Sequence, residues 1–318
     1  MPLDVLCAGL MVVDFVGAPI EVMPPSGSLV KTPRIEMAIG GCAANTAVDL
    51  AKLELRVGVC GLVGNDSLGQ FAREQLAADG VCCDQLLTTA TAQTAATLIV
   101  NVMGEDRRFI HAVGANAEFT GESLTREVLS QTRVLCVGGF ALNPALSASH
   151  IRRAFELARE LGVLTVLDVV IGDPAPVRAM LEEVLPVTDL FLPNLDEGRL
   201  ILGIDSPESQ ARQFAALGAR TVIVTRGAHG SIHFDGREML DAAAFPVEQV
   251  VDGTGGGDAF VAGYLYGFLQ GADAHRCLAY GAAMGASCVR AAGATTSVFR
   301  RIELEEYVQQ RSLACRVI

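Results

Sequence analysis

Short apolar runs alternate with amphipathic helical stretches along most of this chain. Leu3–Leu10 reads as a buried strand, Gly41–Leu53 as a helix, Arg56–Gly61 as a strand and Ser67–Ala78 as a helix. The rhythm returns with strands at Val134–Val137, Leu164–Val169, Leu190–Leu192 and Thr221–Thr225, and helices at Ser147–Leu161 and Ala175–Leu185 between them. Strands that are apolar throughout, rather than at every second position, are covered on both faces. The pattern therefore predicts an α/β fold with a mainly parallel sheet between helical layers. Two segments break the rhythm. Val12–Ile39 carries prolines and mixed alternation, and Thr94–Val113 reads as a hairpin of Thr97–Met103 against Arg107–His111 around Gly104-Glu105-Asp106. A small sheet of this kind has too little bulk to bury both of its faces, so a second subunit is expected to cover one, with Ile99 and Ile110 as the positions reaching it. No repeat, charge block or low-complexity linker divides the 318 residues, which are expected to form one unit.

The nine residues Asp252-Gly253-Thr254-Gly255-Gly256-Gly257-Asp258-Ala259-Phe260 carry the densest chemical signal. Three consecutive glycines let successive N–H groups converge on one point. The uncharged stretch Ala259–Gln270 that follows predicts a buried helix. A glycine turn opening a helix presents unpaired amides and the positive end of a dipole, a place to hold phosphate. A carboxylate at that mouth, Asp258, repels an anion, and removing a proton from an attacking hydroxyl is work that justifies it. An acidic first turn of an ordinary helix has the same residues. The chain has two lysines, Lys31 and Lys52, and neither lies in a glycine-rich loop, so a P-loop and a protein-kinase lysine are both excluded. Any nucleotide phosphate is then held by backbone amides.

With this run, and with Gly40-Gly41-Cys42-Ala43-Ala44-Asn45 matching a G-G-x-x-x-N signature, the chain resembles the ribokinase-like, PfkB-type carbohydrate kinases from Leu3 to about Ser297. Gly253 and Gly256 depart from the family's D-T-T-G-A-G-D-x-F type of run. The resemblance implies a three-layer α/β/α fold with a small β lid, built here from about 12–39 and 94–113, which in that family is often a dimer interface. It implies that Asp258 is the base and that Gly255, Gly256 and Gly257 form the anion hole. Asp14, Gly40, Gly41, Asn45 and Asn116 would bind the sugar, as would an inward lid arginine, for which Arg108 is the candidate beside Arg107. Only one of that adjacent pair can face inward. Asn194, Thr225, Gly227, Gly230 and Gly257 would hold the nucleotide, and Glu197 would organise hydrated Mg²⁺. Asn194 and Glu197 also have the spacing of an N-cap and its third-position glutamate. Asp252, Thr254, Gly293 and Ser297 match a segment that holds a monovalent cation such as K⁺ in some members, and Ala282 stands where many members have an adenine-side asparagine.

Charge and composition narrow the partners. A net charge of −12 argues against nucleic acid, whose binding needs a basic surface. Nine cysteines without C-x-x-C spacing read as reduced core residues, and Met1-Pro2-Leu3-Asp4 has no basic leader, so a cytoplasmic protein off the membrane is expected. The expected activity is transfer of a phosphoryl group from ATP, with Mg²⁺, to a hydroxyl of a ribose, fructose or sugar-acid type of acceptor. A nucleoside kinase of the same family is the nearest alternative, and a sugar-binding regulator without catalysis is the alternative of another class. Four tyrosines and no tryptophan leave few partners for stacking a base. Retention of Asp258 and the glycines speaks against a silent protein.

Overall fold

The apolar runs become strands of one sheet whose residues alternate between two cores. The computed structural model describes residues 2–105 and 107–318. Its first half contains β1 (Leu3–Gly9), β2 (Val12–Gly17), β3 (Ile35–Gly40), α1 (Cys42–Lys52), β4 (Val57–Gly64), α2 (Ser67–Ala78), β5 (Cys82–Thr89), β6 (Ala96–Val100), β7 (Arg108–Ala112), α3 (Arg126–Leu129) and β8 (Thr132–Phe140). The second half contains α4 (Ala148–Glu160), β9 (Leu164–Val169), α5 (Val177–Val184), β10 (Leu190–Phe191), α6 (Leu195–Leu202), α7 (Pro207–Ala216) and β11 (Thr221–Thr225). It continues with β12 (Ser231–Phe234), β13 (Met239–Ala242), α8 (Gly256–Leu269), α9 (Ala274–Cys288), α10 (Arg301–Gln310) and β14 (Cys315–Val317).

The large sheet runs β14-β13-β12-β11-β10-β9-β8-β1-β4-β5. From β5 to β11 every neighbouring pair is parallel, and β12, β13 and β14 extend the far edge in antiparallel fashion. Val5 and Cys7 of β1 point into a core shared with α1, α8, α9 and α10, while Leu6 and Ala8 point into a second core shared with α4, α5 and α7. This is the three-layer arrangement that two-sided apolar strands require. The antiparallel edge and α9 are additions to the pattern read from the sequence. Among the described residues no helix is long and apolar enough to cross a membrane.

The two irregular segments form a separate sheet in the order β3-β2-β6-β7. Register fixes its faces. Ala38, Asp14, Thr97 and His111 lie side by side across the four strands, and the next row, on the opposite face, is Met37, Phe15, Leu98 and Ile110. One face thus carries a polar row, next to a row with Ile99 and Phe109, and the other is open at its apolar row, with Leu98 50% and Ile110 62% exposed. Ile99 does not share the open face with Ile110. It pairs with Phe109, one residue out of phase, and is buried. Of the expected turn, Asp106 lies outside the described residues.

Helix α8 is buried along Ala259–Gly267, and it packs on α9 at backbone distance because Gly263 has no side chain. A Cβ there would lie 2.4 Å from the Tyr280 carbonyl oxygen. Gly263→Ala is expected to force the two helices apart and cost about 1–3 kcal/mol. A urea-unfolding midpoint lower than wild type, with an unchanged slope, is the measurement that checks it.

Candidate active site

The glycine turn does what its sequence predicts at the start of α8. Gly255 is the N-cap and adopts a left-handed backbone with φ 76°, a region that side chains disfavour. Its own neighbours leave no room either, since a Cβ would meet the Ala294 carbonyl oxygen at 2.4 Å. The Gly256 N–H turns back to the Gly253 carbonyl at 3.3 Å and the Ala259 N–H donates to Gly255 at 2.8 Å. The amides of Gly255, Gly257 and Asp258 have no such acceptor and open toward the end of the helix, where the dipole is positive. Among the three glycines expected to form the anion hole, Gly256 is thus the one whose amide is already engaged.

Asp258 sits at this opening. Its Oδ2 accepts a hydrogen bond from Asn45 Nδ2 at 2.9 Å, and Asn45 Oδ1 is buried with no partner among the described residues, so it is poised for another donor. Asn45 is in the first turn of α1, a helix capped by Gly41. Burial pushes the Asp258 carboxyl up to about 6, against the hydrogen bonds from Asn45 and Cys42, and the Asp14 carboxylate pushes in the same direction as burial. Asp14 lies in the polar row of the small sheet and is also raised to about 6, mainly by burial, with the Thr97 hydroxyl opposing and Asp252 adding to the rise. Gly40 lets this carboxylate stand against the backbone: a Cβ on it would be 2.2 Å from Asp14 Oδ2. Gly40, Gly41, Asn45, Asp14 and Asp258 therefore converge on one volume between the small sheet and α8.

A second group gathers at the carboxyl ends of β10 and β11, which an isolated bridge joins through Asn194 and Thr225. Asn194 Oδ1 accepts from the Glu197 N–H and Glu197 Oε2 accepts from the Asn194 N–H, both at 2.8 Å, so the capping box foreseen as an alternative is formed. Glu197 nonetheless carries an unusual carboxyl. Burial raises it to about 7 against the Asn194 amide, and the nearby Asp258 carboxylate adds to the rise. Gly227 and Gly230 shape a tight turn after Thr225, closed by the Arg226 N–H on the Gly230 carbonyl at 2.8 Å.

The third group surrounds Asp252. Its Oδ1 accepts from Thr254 N at 2.8 Å, Thr254 Oγ1 at 2.6 Å and Arg107 Nη1 at 2.6 Å, while Oδ2 accepts from Gly293 N at 3.0 Å. Ser297 Oγ lies 2.7 Å from the Ser287 carbonyl oxygen and 2.8 Å from that of Cys288.

Two candidates are not where the sequence suggested. Arg108 lies on the outer surface of the lid and pairs with Glu105; it is Arg107, one residue earlier, that faces inward. Alternation allows one of the two inside, and counting back by twos from His111, which pairs with Thr97 on the inner face, selects Arg107. Asn116 is wholly buried, with its Nδ2 donating to the Met11 carbonyl at 3.0 Å and its Oδ1 accepting from the Met11 N–H at 3.2 Å. Both ends of its amide fasten the link between β1 and β2, and the wholly buried side chain presents no surface to a ligand. Conversely, two residues at the centre carried no signal of their own. Cys42 Sγ, one carboxylate oxygen of Asp168 and one of Asp258 lie within 4.8 Å of each other. Asp168 is near the carboxyl end of β9 and accepts from the Gly139 N–H at 3.1 Å. Burial, then the charges of Asp258 and Glu197, hold its carboxyl well above the ordinary range. A polar residue closing an apolar strand at the end where ligands gather in such sheets was the only available clue.

The chain is similar to known proteins over nearly its whole length. The chain is 26% identical over 279 residues to the ribokinase of Haemophilus influenzae, covering 86% of this chain and 88% of that one. It is 22% identical over 325 residues to the 5-dehydro-2-deoxygluconokinase of Clostridium tetani, covering 98% and 94%. Among solved structures, the ribokinase of Arabidopsis thaliana complexed with ribose and ATP superposes with a TM-score of 0.84 at 24% identity, over 97% of this chain and 99% of that one. The pattern of the pfkB family carbohydrate kinases matches residues 3–300, and the chain belongs to that family.

Proposed function

We propose that this carbohydrate kinase moves the γ-phosphoryl group of ATP to a hydroxyl of a ribose-, fructose- or sugar-acid-type acceptor, with Asp258 as the base. The observation that carries the reading is the Asp258 carboxylate fixed by Asn45 at the mouth of a helix whose first amides are open. The acceptor binds between the polar face of the lid and α1, where Asp14 and the unpartnered Asn45 Oδ1 receive its hydroxyls. Asp258 takes the proton of the hydroxyl that attacks, and the amides of Gly255 and Gly257 meet charge as it spreads over the transferring group. The nucleotide lies along the ends of β10 and β11, against Asn194, Thr225, Gly227 and Gly230. Mg²⁺, when bound, neutralises the phosphate oxygens, and Asp168 and Glu197 are the carboxylates near Asp258 able to orient its water shell. A neighbouring structure from E. coli determined with ATP and Mg²⁺ supports this pair of ligands. Closure of the lid over the acceptor excludes water and limits ATP hydrolysis.

A screen of sugars, sugar acids and nucleosides for acceptor-dependent ADP release identifies the substrate. With that acceptor, Asp258→Asn is expected to lower kcat by ~10²–10⁴-fold while ATP still binds. Near-normal turnover would remove Asp258 from the role of base.

The raised carboxyls also give a pH signature. Asp258 and Asp14, both at about 6, must be ionised to act, so kcat/KM rises with pH until both have lost their protons and then levels. Stability runs the other way. Their folded values lie above the ordinary 3.8, so the stability they contribute is full below that value and is lost as pH rises through about 6. The ligand-free protein is expected to melt at lower temperature at pH 7.5 than at pH 5.5, while activity increases over the same interval. Parallel melting curves and a pH-independent kcat/KM would contradict both assignments.

The open row of Met37, Leu98 and Ile110 is the surface on which two lids pair, giving a homodimer. Sedimentation of wild type should show a dimer at micromolar concentration, and Leu98→Asp with Ile110→Asp should give a folded monomer. A monomeric wild type, or a variant that stays dimeric, refutes this interface.

A further inference from the structure

The family to which the chain belongs includes members that hold a monovalent cation behind the anion-hole turn, and the residues at that place do not fit one here. Such an ion needs a carboxylate and a ring of carbonyl oxygens with room for its charge. Asp252 has three donors on Oδ1 and one on Oδ2, and one of the three is the Arg107 guanidinium at 2.6 Å. The surrounding carbonyls are occupied as well. The Cys288 thiol contacts the carbonyl oxygens of Thr254 at 3.2 Å and Ala294 at 3.0 Å, and the Ser297 hydroxyl is shared between those of Ser287 and Cys288. The Thr295 carbonyl accepts from the Lys52 ammonium, which reaches across from the end of α1.

Asp49, one helical turn before Lys52, is fully buried, neither of its carboxyl oxygens has a hydrogen-bond partner among the described residues, and burial holds its carboxyl well above the ordinary range. Cys288 lies within electrostatic reach of Asp49, Asp252, Asp258 and Lys52, so these groups share one small region. A free cation entering there would have to displace the guanidinium already on Asp252 and the ammonium already on the Thr295 carbonyl to reach those oxygens. The loop that carries the carbonyls is also the one that supports the turn, through the contact of Ala294 with Gly255.

We propose that this kinase works without a monovalent cation, the Lys52 ammonium and the Arg107 guanidinium supplying from within the chain the positive charge that steadies residues 293–297 behind the anion hole. The role in phosphoryl transfer rests on the kinase reading above; the exclusion of the ion does not. The test therefore uses readouts that need no acceptor. Melting temperature and Mg-ATP affinity are measured in tetramethylammonium chloride, NaCl, KCl and NH₄Cl at one ionic strength. A protein that binds no small cation should keep its melting temperature within about 1 °C and its nucleotide affinity within about twofold across the four salts. A rise of several degrees, or about tenfold tighter Mg-ATP binding, in KCl or NH₄Cl alone overturns the proposal. Failure to bind Mg-ATP in any salt would sink the kinase reading instead, and the melting temperatures would still decide about the cation.

Lys52→Met is expected to lower the melting temperature and to make it sensitive to K⁺ or NH₄⁺, because the vacated Thr295 carbonyl then lacks its cationic partner; Lys52→Arg should remain insensitive. A Lys52→Met protein as stable as wild type, and equally indifferent to salt, overturns the part given to Lys52. If that variant does not fold, the four-salt comparison on wild type stands as the test.

Discussion

The site depends on keeping a carboxylate in the interior at the one place where the fold can tolerate it. Asp258 is removed from water, a costly position for a charge, and three features offset that cost: the open amides of α8, the dipole behind them and the Asn45 amide. Two of the three belong to the backbone, and the third to a side chain on another element. The amides exist because Gly255 can enter a left-handed conformation against Ala294, and Asn45 is in place because α1 packs across α8 beneath the lid. The core layer of α1, α8 and α9 is thus the scaffold of a single buried ionisation.

A carboxylate stabilised only this far stays easy to protonate, and its neighbours share that condition. Asp14, Asp168 and Glu197 all have their carboxyls raised by burial and by neighbouring carboxylates. In the proposed reading, this cluster of acids is the protein-side complement of a metal-nucleotide complex. The charge that is unfavourable without ligand is matched when cationic partners arrive.

Much of this was legible in the sequence because it is local. The glycine turn, Asp258 and the Gly40-Gly41…Asn45 run are contiguous motifs whose backbone requirements appear as residue types, and the two-sided strands announced the sheet. What escaped was decided by tertiary contact or by a single unit of register. Arg107 and Arg108 differ only in parity, and the pairing of β7 with β6 sets which of them faces inward. Asn116 follows a glycine in a loop like a ligand-binding residue, yet Met11, far away in sequence, engages both ends of its amide. Asp168 is one acid among 36 acidic residues until the fold brings it beside Cys42 and Asp258. The lid showed its alternation but not which side would be polar, since Asp14, Thr97 and His111 share a face only through pairing of strands distant in sequence.

The bond between Asn45 and Asp258 joins residues 213 positions apart. During synthesis the sugar-facing elements, the lid and β1 emerge long before the turn that completes them, and nothing in the early half can move a phosphoryl group. Closing so long a loop comes late and slowly compared with forming the local helices. With Asp258 as the base, as proposed, a chain cut short by premature termination or proteolysis anywhere before α8 would hold the fragments of a binding surface and no base, and could not spend ATP. Catalytic competence is in this sense a proof that synthesis has passed α8.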